Sequence, residues 1–162
     1  MREHLLDVVI DVIEEMTDSR ELQALQKKGM EKALEMAGVR SSDIQQIVEW
    51  VEGFGRGEKV LLQEKPHSGA YFRVFSPAES EHITLEAQDY LLNLLRNQVI
   101  GLDLFERILD QIMMLKGRQV DLHHVEWISF MVVMNQAEDQ SSIALFEKWM
   151  MNAAEGLKTT VH

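Results

Sequence analysis

Val120–Asn135, VDLHHVEWISFMVVMN, decides the fold. From Val125 to Met134 its only polar residues are Glu126 and Ser129. A helix that is apolar nearly all round has no face suited to water and belongs in the middle of a core. Trp127, Ile128, Met131 and Val132 are its expected deepest residues, more buried than Leu5 or Ile44. Asp121 is placed to cap its start. The rest of the chain then has to supply helices that cover it.

Those helices are legible on both sides. On the C-terminal side, QAEDQSS (136–142) is a polar break, and a helix over about 142–155 turns Ile143, Phe146, Trp149, Met150 and Ala153 inward. Gly156 stops it, and residues 157–162 form a frayed tail. On the N-terminal side of the central stretch, SPAE (76–79) is a capping box with Pro77 at the first helical position. Thr84 restarts that helix after a kink, and Gly101 ends it near Val99. Asp103 and Glu106 make a second capping box, for a helix lined by Leu104, Phe105, Ile108, Leu109, Ile112, Met113 and Leu115 and closed by Gly117.

Before residue 55 the pattern is again helical. Leu5, Leu6, Val9, Val12, Ile13 and Met16 form one stripe over residues 3–16. A second helix spans about 20–37, capped by Asp18 or Ser19 and stopped by Gly38. Ser41 or Ser42 caps a third, which carries Ile44, Ile47, Val48, Trp50 and Val51. This last pair has helix-turn-helix offsets, but SSDIQQIVEW holds no Lys or Arg to fix phosphates, so a plain hairpin is preferred. Between the helical parts lies GFGRG (53–57), read as a flexible connector because it lacks the GK[ST] ending of a phosphate loop. Val60–Gln63 and Ala70–Phe75 read as a β-hairpin around Pro66 and Gly69. The expected architecture is mainly α. An N-terminal three-helix part (1–54) and a C-terminal four- to five-helix part (76–156) surround the central helix and are joined by a linker and short β-hairpin (55–75).

The chain has 162 residues and a net charge of −11. Affinity for nucleic acid rests on cations that neutralise phosphates, so the whole chain is a poor non-specific binder of nucleic acid or anionic membrane. With no cysteine there are no disulfides and no thiolate chemistry. No apolar run reaches the 18 or so residues of a membrane span, and acids interrupt the apolar N-terminus, which argues against a signal peptide. Asp7, Asp11, Glu14 and Asp18 recur at i, i+4, i+7 and i+11, giving either a solvated face or a docking stripe for a basic partner. Residues 56–75 hold four cations (Arg56, Lys59, Lys65 and Arg73) against two acids, a net of +2 and the one locally basic segment. It is either a solvated hairpin or an anion contact. Paired methionines at 113–114 and 150–151 are hard to bury together on amphipathic helices, so Met114 and Met151 are candidates for an exposed groove or an oligomer contact.

Catalytic chemistry is not legible. His123 and His124 point about 100° apart on a helix and do not converge on one ion. His123 and Glu126 make half a zinc site at most. Ordinary imidazoles gain charge near pH 6.5, here beside Asp121 and Glu126. Ser129 has no nucleophile-elbow context and is expected to bond a carbonyl one turn back.

Taken together, LLDVVIDVIEE (5–15), AGVRSSDIQQIVEWVE (37–52), RVFSPAE (73–79), IGLDLFERILDQIMML (100–115) and VDLHHVEWISFMVV (120–133) resemble the bacterial Smg family in order and spacing, with Trp50 and Trp127 as anchors. The resemblance implies a small, helical, cytoplasmic bacterial protein and supplies no catalytic residue to carry over. The genes of such proteins commonly neighbour one for a DNA-processing protein, which implies an indirect tie to nucleic-acid metabolism. Ala78 departs from the family's usual acid at that position, His123 and His124 from a usually acidic segment, and residues 56–70 vary among its members. The expected function is a non-catalytic adaptor or regulatory protein with a protein partner and no cofactor or metal; self-association stays open. The alternative is an accessory factor that touches DNA or RNA through the basic hairpin.

Overall fold

The structure is a computed structural model and describes residues 5–16, 27–56, 73–115, 119–138, 143–144 and 146–152. Helix α1 (Leu5–Met16) buries Leu6, Val9, Ile10, Val12 and Ile13, and turns Asp11, Glu14 and Glu15 to solvent. Helix α2 (Lys27–Met36) buries Met30 and Leu34. Gly38 ends it as expected, at φ +88°. The Gly38 N–H donates to the Glu35 carbonyl and the Val39 N–H to the Leu34 carbonyl, both at 3.0 Å, closing a Schellman motif around a residue that needs no Cβ. This closure carries Val39 into the core and leaves only Arg40 to turn the chain into α3 (Ser41–Glu52). The start of α3 therefore differs from the expectation. Arg40 is the cap residue, Ser41 and Ser42 are already helical, and no side chain caps the helix. Arg40 pairs instead with Asp43 at 3.4 Å.

GFGRG is not a loose connector throughout. Gly53–Gly55 forms a 3-10 turn directly after α3, with the Phe54 side chain fully buried. Val60–Gln63 and the turn at Pro66–Gly69 lie outside the described residues. Arg73–Phe75, the described end of the second expected strand, forms no strand; Arg73 is drawn to carboxylates on two helices instead. Among the described residues the only bridge with both partners visible is an isolated parallel one between Ile83 and Val120.

Helix α4 (Pro77–His82) opens with the expected capping box. The Glu79 N–H donates to Ser76 Oγ at 3.2 Å, and the Ser76 N–H donates to the Glu79 carboxylate at 2.8 Å. Thr84 caps α5 (Leu85–Arg96). That helix ends three residues before the expected Val99. Gln98 takes φ +56°, and the Val99 N–H reaches back to the Leu94 carbonyl at 2.9 Å. Gly101 is thus the cap residue of α6 (Leu102–Met113), not the stop of α5, and it provides no side-chain cap. Asp103 and Glu106 do not form a capping box. Asp103 pairs with Arg107 at 3.3 Å, and Glu106 turns to Arg73.

Asp121 caps α7 (Leu122–Gln136) through the His124 N–H at 3.1 Å. Ile143 and Phe146, both in helical conformation in a final stretch described over 143–144 and 146–152, are buried as expected. Helix α7 packs against α5, α6 and the 3-10 turn, and a single apolar core runs from Leu6 to Phe146 through both helical parts. Ile128 and Val132 are 0 % exposed and Met131 4 %, against 6 % for Ile44, while Trp127 retains 9 % at the rim. Three of the four expected anchors thus outrank Ile44 and the fourth does not.

Candidate functional site

The joint between α7 and the N-terminal helices is the most specific piece of geometry. Phe54 meets Trp50 edge-on at 4.9 Å between ring centroids and Trp127 at 5.5 Å, while the two indoles stack at 6.2 Å. Polar bonds fasten the same place. Trp50 Nε1 donates to the Gln111 carbonyl at 3.0 Å, and Gln136 Nε2 to the Phe54 carbonyl at 2.8 Å. Gln136 also accepts from Arg107. A Cβ on Gly53 would lie 2.5 Å from Gln111 Nε2, so the side chain of Gln111 lies against bare backbone at this turn. These groups fasten the turn after α3 to α6 and α7.

A second knot surrounds Arg73. Its Nε donates to Glu106 at 2.7 Å and its Nη2 to Glu79 at 2.9 Å. The guanidinium lies 5.7 Å from the Phe105 ring centre and 5.9 Å from that of Phe75. Hydrogen bonds to Glu79 and Glu106 hold the Arg73 proton more firmly than usual. For Glu79, desolvation pushes the carboxyl pKa up, but the bonds from Arg73 and from Ser76 outweigh it and the net displacement is downward. Of the four cations offered as a possible anion contact, Arg73 is therefore occupied within the fold and Arg56 is exposed. Lys59 and Lys65 lie outside the described residues.

The acidic stripe is presented as its spacing implies. Asp11 and Glu14 are exposed on α1, and among the described residues neither forms an ion pair. Asp7 differs, because its carboxylate lies 2.8 Å from His124 Nε2. Asp18 is outside the described residues. Met114 is 50 % and Met151 65 % exposed, whereas Met113 and Met150 are part-buried against the core. Each methionine pair is thus split between core and solvent.

The central helix also carries polar groups of its own. Ser129 is fully buried, and its Oγ has no hydrogen-bond partner among the described residues, contrary to the expected bond one turn back. The buried Tyr90 hydroxyl on α5 and Gln111 Oε1 are in the same position. Burial raises the Tyr90 pKa and the charge of Glu126 adds to it. Burial likewise pushes the Glu126 carboxyl pKa up, against the attraction of His123. His82 is held by the Ile112 carbonyl, 3.0 Å from its Nε2. Among the described residues no group of three or more His, Asp or Glu is placed to hold a metal ion, and no helix is long and apolar enough to cross a membrane.

Residues 5–158 match the family described as "Protein of unknown function (DUF494)". Similarity extends to proteins each named "Protein Smg homolog". That of Nitrosococcus oceani is 26% identical over 157 residues, covering 97% of this chain and 99% of the relative. The chain belongs to the Smg family. Further Smg relatives include that of Thioalkalivibrio sulfidiphilus, 27% identical over 94% of this chain and 96% of its own length, and that of Methylococcus capsulatus, 25% identical over 96% and 98%. No solved structure matches the chain. The anchors of the Smg resemblance, Trp50 and Trp127, are the two indoles that stack at the joint. Their pairing could not be read from spacing, because 77 residues separate them in sequence.

Proposed function

We propose that this Smg-family chain is a non-catalytic adaptor or regulatory protein of the cytoplasm that binds a basic protein partner through the outer face of α1. The observation that supports this reading is the pair Asp11 and Glu14. Both are solvent-facing and without an ion-pairing cation among the described residues, on a helix whose other face is locked into the core. A rigid helix presenting unpaired carboxylates favours a cationic partner, and attraction of this kind acts mainly on association rate and specificity. The exposed Met114 and Met151 provide adaptable apolar contacts at the far ends of two other helices.

Affinity purification of the full-length tagged chain with mass spectrometry tests the reading. A stoichiometric partner is expected, and the double variant Asp11→Lys/Glu14→Lys loses it. A partner recovered equally by the variant excludes this face. The reading through DNA or RNA has less support, because Arg73 already faces two carboxylates. It predicts a shift of labelled nucleic acid at about 50 mM salt that disappears on substituting Arg56 and Lys59.

A further inference from the structure

Lys28, Lys32 and Met36 recur at i, i+4 and i+8 along α2 and lie opposite its buried Met30 and Leu34. Both lysines are exposed, and among the described residues neither forms an ion pair. Met36 is 81 % exposed, more than any other large apolar side chain described. A thioether that continues the row of cations adds an adaptable apolar contact to it.

The matching surface lies on the neighbouring helix. Asp11 and Glu15 are also spaced i, i+4, opposite the buried face of α1, and both are exposed without an ion pair among the described residues. Residues four apart on a helix are separated by about 6 Å along its axis, so the lysines and the carboxylates match in pitch. They match in level as well. Helices α1 and α2 pack side by side, and a Cβ placed on Gly29 would lie 3.5 Å from Met16 Cε, so the end of α1 meets the start of α2. Glu15 therefore stands level with Lys28, and Asp11, one turn into α1, with Lys32, one turn into α2. Both rows point away from the core, and they do not pair within the molecule.

We propose that Lys28, Lys32 and Met36 form a docking face for the outer side of α1 in a second copy of this chain, so that the chain self-associates by reciprocal α1–α2 contacts. A two-fold axis running along the two helices lays α1 of each copy over α2 of the other, and every pairing occurs twice. Glu15 then faces Lys28, Asp11 faces Lys32, and Met36 comes to the level of the part-exposed Val8. A foreign acidic protein would need neither this pitch nor this level. Glu35, exposed beside the lysine row, and the net charge of −11 oppose the contact, so the dimer is weak and reversible. The dimer deepens the adaptor reading and rests on the same view of α1 as a docking face. The second copy is one basic partner for that face and competes there with a foreign one.

Sedimentation equilibrium of the purified full chain tests the dimer with no foreign protein present, so its outcome is separate from that of the affinity purification. Between about 10 μM and about 1 mM, the range of weak encounters, the weight-average mass is expected to climb from that of one chain towards that of two. The reversals Lys28→Glu/Lys32→Glu and Asp11→Lys/Glu15→Lys each set like charges face to face and should weaken self-association by roughly tenfold or more. Mixed in equal amounts, the two variants again present opposite charges in both pairings and should recover association to within about threefold of wild type. The mixture carries the wild-type average charge, so recovery reports the pairing and not the net charge. Lys28→Arg/Lys32→Arg keeps the cations and should associate like wild type. All four positions are exposed, and far-UV circular dichroism checks that each variant stays helical. A wild-type chain that is monomeric at about 1 mM overturns the proposal. So does a reversal that associates as tightly as wild type, an arginine variant that loses association, or a mixture of helical variants that stays monomeric.

Discussion

Phe54→Ala should be among the most damaging single substitutions in the chain. The side chain is fully buried, ringed by Trp50 and Trp127 at 4.9 and 5.5 Å. Truncation of a buried Phe costs about 3–5 kcal/mol through lost burial and the cavity left behind. Each edge-on aromatic pair accounts for about 0.5–1.5 kcal/mol beyond area. The upper half of the range applies here. The wall of the cavity comes from α3, the turn and α7, and the Gln136–Phe54 and Trp50–Gln111 bonds hinder its collapse. A loss of about 4 kcal/mol is a large fraction of the roughly 5–15 kcal/mol that holds an ordinary domain folded. Phe54→Leu keeps most of the volume and should cost about 1.5 kcal/mol. Urea denaturation followed by tryptophan fluorescence and by far-UV circular dichroism measures both, since Trp50 and Trp127 report the joint itself. A loss below about 1.5 kcal/mol for the alanine variant, or a leucine variant as damaged as the alanine one, would refute the view that this turn is a docking element.

Two further substitutions probe polar groups in the central region. Ser129→Ala should raise stability by about 1 kcal/mol in the same urea assay, because a buried hydroxyl without a partner costs free energy and alanine suits a helix better; a net loss would mean that the hydroxyl has a partner. For Glu126, burial raises the carboxyl pKa in the folded chain, so the folded state holds its proton more tightly than the unfolded one and stability falls as pH rises through the carboxylate range. Glu126→Gln should therefore be modestly more stable than wild type near neutrality, with the difference closing below about pH 4, as thermal melts across pH would record.

The legible parts of this fold were those whose chemistry is complete within three or four residues. Ser76 with Glu79, Thr84 with Ala87, Asp121 with His124 and the Gly38 stop all act within one helical turn, and each is found where its spacing places it. The failures have local causes as well. Gln98 takes a left-handed conformation that ordinary side chains adopt at a cost, so Gly101 attracted a role that Gln98 performs. Asp103 and Glu106 have capping-box spacing, but Arg107 and Arg73 offered them stronger, charged partners. Pairings between distant segments were out of reach. Nothing near Arg73 announces Glu106, 33 residues on, and nothing near Asp7 announces His124, 117 residues on. Candidate surfaces therefore emerged from single segments, a helix stripe, a basic hairpin or a methionine pair, whereas groups assembled from two distant segments did not emerge at all.

The burial of α7 over most of its circumference, with only a stripe through His123, Glu126, Phe130 and Met134 left partly open, has a consequence for how the chain is made. Trp127 follows Phe54 by 73 residues. At about 5–20 residues per second the N-terminal helices wait roughly 4–15 s on the ribosome before the segment that covers them is synthesised. During that interval Trp50, Phe54 and the inner faces of α5 and α6 are uncovered and adhesive. The nascent chain is then a client for whatever shields apolar surface at the tunnel exit, and translation speed between residues 55 and 120 becomes a determinant of yield.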